Sequence, residues 1–298
     1  MDPELEAFLP LLPKSDLSDP VTDRRNLAAM AAAVPPPDTA GMAVEDRTVP
    51  ADPDVPVRIY RPDQAQGAIV WLHGGGWVMG NLDTEHPWAA RLADASGAVV
   101  VSVDYRLAPE NPFPAALDDS YAVLSWVVEH AAELGADPDR VAIGGHSAGA
   151  GMAAAAALRA REEQGPPIRF QLLNQPGLDD RQQTWSARHF TDSPWMTRAK
   201  VTQAWGHYLG SAPATPYAAP ARAKDLSGLP PAYIAAAELC PNRDENIDYA
   251  VRLLQAGVSV ELHQWAGTFH GSQALLSAAV SQRQIAELGA VLRRALAA

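Results

Sequence analysis

Residues 141–151 read Val141-Ala142-Ile143-Gly144-Gly145-His146-Ser147-Ala148-Gly149-Ala150-Gly151. The run 141–144 is short and apolar, as expected of a strand buried on both faces. The alanine-rich stretch 148–164 has the length and composition of a helix. Between them lies Gly145-His146-Ser147-Ala148-Gly149, a G-x-S-x-G spacing. Strand, tight turn and helix form the context that this spacing requires. The glycines permit the turn, and the turn pushes the serine Oγ out of the backbone. The helix N-terminus behind the serine offers unpaired N–H groups and positive dipole character.

The same rhythm extends outward. Apolar runs at 68–72, 98–103, 170–173, 233–237 and 258–265 predict further buried strands, and the alternating run 55–60, bounded by prolines, predicts an edge strand. Helix-length segments fall at 87–96, 115–134, 245–256 and 273–296. Strands alternating with helices predict an α/β fold: one domain over 1–298, built on a mostly parallel central sheet flanked by helices. Residues 1–33 read as short helical pieces, ending at the turn signal Pro35-Pro36-Pro37-Asp38. Residues 181–222 break the rhythm and carry Trp185, Trp195, Trp205 and Tyr208 among prolines. Together with residues 1–40, they are expected to form a helical cap over the C-terminal edge of the sheet, where open α/β sheets bind ligands.

Composition narrows the function. The 298 residues include 23 Lys and Arg against 35 Asp and Glu, a formal charge of −12. That balance disfavours nucleic acid and anionic membrane surfaces as partners. A lone cysteine, Cys240, excludes an intramolecular disulfide and a cysteine-built metal site, and it fits a reducing compartment. The N-terminus is acidic and broken by prolines, unlike a secretory signal, and no apolar run has the length to span a bilayer. A cytoplasmic protein with no membrane partner is the expectation.

A second glycine-rich turn follows the strand at 68–72. It reads His73-Gly74-Gly75-Gly76-Trp77. Three glycines let backbone N–H groups converge on one point, as acyl transfer requires where charge develops on a carbonyl oxygen. A phosphate loop would need G-x-G-x-x-G spacing or a following Lys-Ser/Thr, and neither is present. A serine nucleophile needs a base. Of eight histidines, His270 is best placed, in Gly267-Thr268-Phe269-His270-Gly271, between the last strand and the last helix. His263 lies inside a strand pattern and is read as structural. His73 and His146 flank the two motifs and are read as shaping their loops.

These residues carry a resemblance. HGGGW, the segment Tyr105-Arg106-Leu107-Ala108-Pro109-Glu110, GHSAG and the C-terminal stretch ending in Phe269-His270-Gly271-Ser272 resemble the hormone-sensitive-lipase-like branch of the α/β-hydrolase superfamily. Within it, the bacterial heroin-esterase type of carboxylesterase is most similar. The resemblance implies an α/β-hydrolase core and cofactor-free hydrolysis of short-chain or bulky aromatic carboxylic esters. It implies Ser147 as nucleophile, His270 as base, and Gly74, Gly75 and Ala148 as the oxyanion hole. Residues 105–110 are implied to position the loop below the site.

The departure is at the third triad position. Where the family writes Asp-Pro-Leu-Arg-Asp-Glu, this chain writes Cys240-Pro241-Asn242-Arg243-Asp244-Glu245. The residue that orients the histidine is thus expected at Cys240, with a weakened base as the result. In a serine protease, altering the equivalent Asp costs about 10⁴ in kcat. The alternatives are three. Asp244 could serve if the loop shifts, although capping the next helix is the favoured reading. Glu238 could reach from the preceding strand end. Cys240 could itself act, or be a small buried hydrophobe.

Two functions follow. One is a serine carboxylesterase working through an acyl-enzyme on a small-molecule ester. The other is a catalytically weakened or engineered variant that only binds a small molecule. Trp77, His146, Trp195 and Trp205 are candidate lining residues for the substrate pocket, with packing of the cap as the competing role for the tryptophans. No metal or cofactor is expected, and the resemblance allows a homodimer.

Overall fold

The computed structural model describes residues 1–12, 15, 17–33 and 35–297. Parts of the expected N-terminal cap segment, at 13, 14, 16 and 34, lie outside the described residues. The strands are β1 (Met42–Val49), β2 (Val55–Pro62), β3 (Ala68–Leu72), β4 (Val99–Val103), β5 (Val141–His146), β6 (Phe170–Asn174), β7 (Ala232–Leu239) and β8 (Val260–Phe269). The helices are α1 (Pro3–Glu6), α2 (Pro20–Ala32), α3 (Leu82–Ser96), α4 (Ala115–Glu129), α5 (Ala148–Glu163), α6 (Trp185–His189), α7 (Arg198–Leu209), α8 (Arg243–Gln255) and α9 (Ala279–Ala295). Among the described residues, no helix is long and apolar enough to cross a membrane.

The strands form one sheet in the order β1-β2-β4-β3-β5-β6-β7-β8. β1 and β2 are antiparallel, as are β2 and β4; the remaining pairs are parallel. Every residue of β3, β4 and β5 is buried, which is why these strands read as unbroken apolar runs. The connection β3-α3-β4 runs one way along the sheet, and β4-α4-β5 crosses back past β3. That reversal leaves β3 and β5 side by side, with Leu72 opposite Gly145. The glycine-rich loop after β3 and the serine turn after β5 therefore open into the same crevice, at the switch point where such sheets bind ligands.

Several boundaries differ from the sequence expectation. α3 begins at Leu82 rather than 87, because Asn81 and Thr84 form a reciprocal capping box ahead of Pro87. α4 stops at Glu129, and α9 begins at Ala279 after a short 3₁₀ turn at Ser272–Ala274. β8 runs on to Phe269, paired with a β7 that carries a register shift between Ala237 and Leu239. β1 escapes sequence detection. It is a largely exposed edge strand containing Glu45, Asp46 and Arg47, with no apolar run to mark it.

Helix α5 packs tightly behind the serine turn. Twelve of its 16 residues are buried, mostly alanine and glycine. A Cβ on Gly149 would lie 2.1 Å from the Leu72 carbonyl oxygen, and one on Gly145 2.3 Å from the same atom. Both clashes are with backbone, which cannot rotate away. Gly149→Ala is expected to destabilise the protein by about 3 kcal/mol or more, read by urea unfolding. A loss under about 1 kcal/mol would mean that the strand end yields instead.

Candidate active site

Ser147 has φ +51° and ψ −115°, a conformation that costs a non-glycine residue energy and is held here by its surroundings. Its N–H donates to the Asn174 carbonyl (2.9 Å), and its carbonyl accepts from Gly151 N–H (3.0 Å) and Gly177 N–H (3.1 Å). These bonds aim Oγ at His270, whose Nε2 lies 2.8 Å away. On the far side of the ring, His270 Nδ1 meets Cys240 Sγ at 3.2 Å. The strand register explains this contact. Leu239 and Phe269 are paired across β7 and β8, so the residues that follow them, Cys240 and His270, emerge together.

The chemistry of this chain follows from burial. Cys240 is 1% exposed, and desolvation pushes its thiol up to about 12, so the sulfur is neutral at pH 7. Burial likewise pushes His270 down to about 4. With Nε2 facing the serine hydroxyl, base function requires the tautomer with the proton on Nδ1. The thiol sulfur can accept that proton's hydrogen bond, as it also accepts one from Asn242 N–H (3.3 Å). In that tautomer the contact would hold the ring, and the neutral sulfur would supply no negative charge to an imidazolium.

Neither alternative carboxylate is hydrogen-bonded to the histidine. Asp244 accepts from Ser186 N–H (2.7 Å) and Arg243 Nε (2.8 Å). It sits in the first turn of α8, whose N-cap is Asn242, so the expected capping role is also corrected. Glu238 accepts from Gly267 N–H (2.6 Å). Both acids are held by nearer donors.

The glycine-rich loop is fixed from below. The buried His73 ring stacks on Tyr105 at 4.1 Å, and Tyr105 Oη donates to the His73 carbonyl (2.7 Å). Ala108 N–H donates to the Trp77 carbonyl, and Arg24 of α2 bonds the carbonyls of Val78 and Ala108 as well as the Glu110 carboxylate. The backbone N–H groups of Gly74, Gly75 and Ala148 donate to no protein acceptor among the described residues. Gly74, Gly75 and Ser147 line one cavity of about 300 Å³. His146, Trp195 and His270 line it too, joined by residues of α2.

Trp77 and Trp205 do not line this cavity. They are 4% exposed each and pack on one another at 4.4 Å, with Tyr208 stacked on Trp77. A sequence cannot tell which way an aromatic ring faces. His263 stacks on Trp265 and pairs with Glu287, as a structural residue does. Three contributors went unnoticed in the sequence. Gln175, directly after β6, accepts from Gly271 N–H (3.1 Å) and so steadies the histidine loop. Asn174 Nδ2 lies 2.7 Å from His146 Nδ1. Glu85 is buried beside His146, and its Oε1 accepts from Trp71 Nε1 (2.7 Å). The signal for Gln175 is its place at a strand's C-terminal end; Glu85 gives none beyond being an acid in a helix.

The family description "alpha/beta hydrolase fold" matches residues 69–274. The chain belongs to the α/β-hydrolase family, in its hormone-sensitive-lipase-like branch. Carboxylesterase NlhH of Mycobacterium tuberculosis is 44% identical over 248 residues, 80% of this chain and 77% of that one. The solved structure titled Bacterial Heroin Esterase superposes with a TM-score of 0.95 at 43% identity, covering 100% of this chain and 98% of that chain. A thermostable esterase from Pseudomonas putida ECU1011 gives a TM-score of 0.92 at 35% identity, over 99% and 97% of the two chains.

The depressed basicity of His270 has a measurable consequence. The imidazole is neutral, and so able to take a proton, above about pH 4. The acid limb of kcat/KM for a neutral ester is therefore expected near pH 4 instead of near 6.5. In Cys240→Asp a carboxylate would favour the imidazolium, raising this value and moving the limb toward neutrality. A limb near 6.5 in the unaltered protein would contradict a buried, uncharged histidine environment.

Proposed function

We propose that this chain is a carboxylic ester hydrolase that forms an acyl-enzyme on Ser147. His270 is the base, and the Cys240 thiol stands where a carboxylate would orient it. The observation that carries this reading is the unbroken line Cys240 Sγ–His270 Nδ1 (3.2 Å) and His270 Nε2–Ser147 Oγ (2.8 Å). Ser147 Oγ attacks the ester carbonyl while its proton passes to His270 Nε2. The oxyanion faces the free N–H groups of Gly74, Gly75 and Ala148. The tetrahedral intermediate collapses, and the alcohol leaves with the proton held by His270. Water, deprotonated by the same nitrogen, then releases the acid.

A cavity of about 300 Å³ with an apolar wall suits short-chain or compact aromatic esters. Helix α2 and the segment 181–222, which both contribute to that wall, serve as its cap. A fluorophosphonate should label Ser147, as read by peptide mass spectrometry, and absence of the adduct would sink the assignment. The thiol at the acid position is the one observation that favours a non-catalytic binder. Steady-state hydrolysis of p-nitrophenyl acetate would exclude that reading.

A further inference from the structure

The cavity above Ser147 is mostly apolar, and Glu85 of α3 brings a carboxyl group into its wall. The residue is 9% exposed. Its Oε1 accepts from Trp71 Nε1 (2.7 Å). Its Oε2 has no hydrogen-bond partner among the described residues, yet the atom is not sealed in, so it opens on the cavity. Among the described residues no Lys or Arg pairs with this carboxyl. His146 Nε2 stands 3.7 Å from Oε1, too far for a hydrogen bond. That ring is neutral, since burial pushes it down to about 3, and its Nδ1 accepts from Asn174 Nδ2 (2.7 Å). A buried carboxyl without a cation keeps its proton, because desolvation disfavours the charged form. Burial accordingly pushes Glu85 up to about 8. The surrounding groups do not offset this. Tyr60 of β2 and Tyr105 after β4 are pushed up by burial, and His270 is held neutral. On α3 itself, Asp83 pairs with Arg58, and His86 Nδ1 meets Tyr60 Oη. Asp23 of α2 and Lys200 of α7 share the cavity wall, and the Lys200 ammonium donates to the Trp195 carbonyl (2.7 Å). With Oε1 taken by an N–H donor, the proton of Glu85 belongs on Oε2, and the wall presents an O–H donor.

We infer that this cavity selects carboxylic esters that carry a second oxygen able to accept a hydrogen bond, an ether or a further carbonyl, with Glu85 Oε2 as the donor to it. The inference rests on the esterase reading of Ser147. A donor left unpaired against hydrocarbon costs binding energy, which is how one buried polar group discriminates between isosteres.

The test uses two pairs of esters in which CH₂ replaces oxygen. Ethyl methoxyacetate against ethyl butyrate places the oxygen in the acyl part; 2-methoxyethyl acetate against butyl acetate places it in the alcohol part. For the pair whose oxygen reaches Glu85, the kcat/KM ratio of ether over hydrocarbon is expected to fall about fivefold or more from about pH 6.5 to about pH 9.5. As pH rises through about 8, the donor becomes a carboxylate that repels the ether oxygen. Effects on Ser147 or His270 act on both esters of a pair and cancel in the ratio. Glu85→Gln keeps an oxygen for Trp71 and an N–H donor for the cavity, so its ratio should stay high at every pH. Glu85→Leu should show the low ratio throughout. A ratio independent of pH in both pairs of the unaltered protein, or a ratio in Glu85→Gln that falls with pH as in the unaltered protein, overturns the inference. Ser147→Ala gives a readout without turnover. Its protonated-carboxyl band in the infrared, lost when Glu85→Gln is added, should shift with the ether ester and not with its hydrocarbon partner; an unshifted band in both pairs overturns the selection. Hydrolysis of none of the four esters, together with no fluorophosphonate adduct, would remove the Ser147 reading, and the infrared band would still decide the role of Glu85.

Discussion

Replacing Cys240 with aspartate raises kcat for p-nitrophenyl acetate by about tenfold or more. A triad acid has two tasks. One is to hold the imidazole in the right tautomer and orientation; the other is to stabilise the imidazolium by charge. Cys240 Sγ, 3.2 Å from His270 Nδ1, is placed for the first. A thiol pushed up to about 12 cannot perform the second at pH 7. The deficit of about 10⁴ seen when a protease loses its Asp includes a wrong tautomer, so only part of it applies here, and tenfold is a floor for the recovery. The new carboxylate would inherit the Asn242 N–H that now points at sulfur. Steady-state kinetics check the result. An unchanged or lower kcat would mean that the thiol already meets both needs.

The second large effect is Ser147→Ala, and its size depends on position 240. In a well-dissected serine protease, removing all three triad residues costs about 2 × 10⁶, whereas removing the acid alone costs about 3 × 10⁴. The quotient says that a serine whose acid is already missing has about 10² left to lose. Ser147→Ala is therefore expected to lower kcat about 10²-fold in the present chain, and about 10³-fold or more in Cys240→Asp, because serine and acid act as a unit. Equal losses in both backgrounds would show that position 240 does not act through Ser147 and His270.

The serine turn was legible because only glycine tolerates the contacts that it makes. Gly145 and Gly149 abut one carbonyl oxygen, that of Leu72, and such sites leave a fixed mark on a sequence. The central strands were legible because burial on both faces forces a continuous apolar run. The edge strand β1 was not, since solvent on its exposed side accepts any polar residue. Nor was the fate of the tryptophans. Trp195 lines the cavity while Trp77 and Trp205 pack beneath it, and this difference lies in side-chain direction, which composition does not encode. Glu85 left no trace for a related reason: an acidic residue in an early helical turn looks the same whether it faces water or a cavity.

The pairing of Leu239 with Phe269 carries one last consequence. Because main-chain bonds between two strands bring residues 240 and 270 together, the distance between them belongs to the scaffold and not to either side chain. Position 240 therefore behaves as a socket. Side chains of different charge can be exchanged there without rebuilding a loop. A lineage or a laboratory can thus turn the rate of this site up or down while leaving its shape alone.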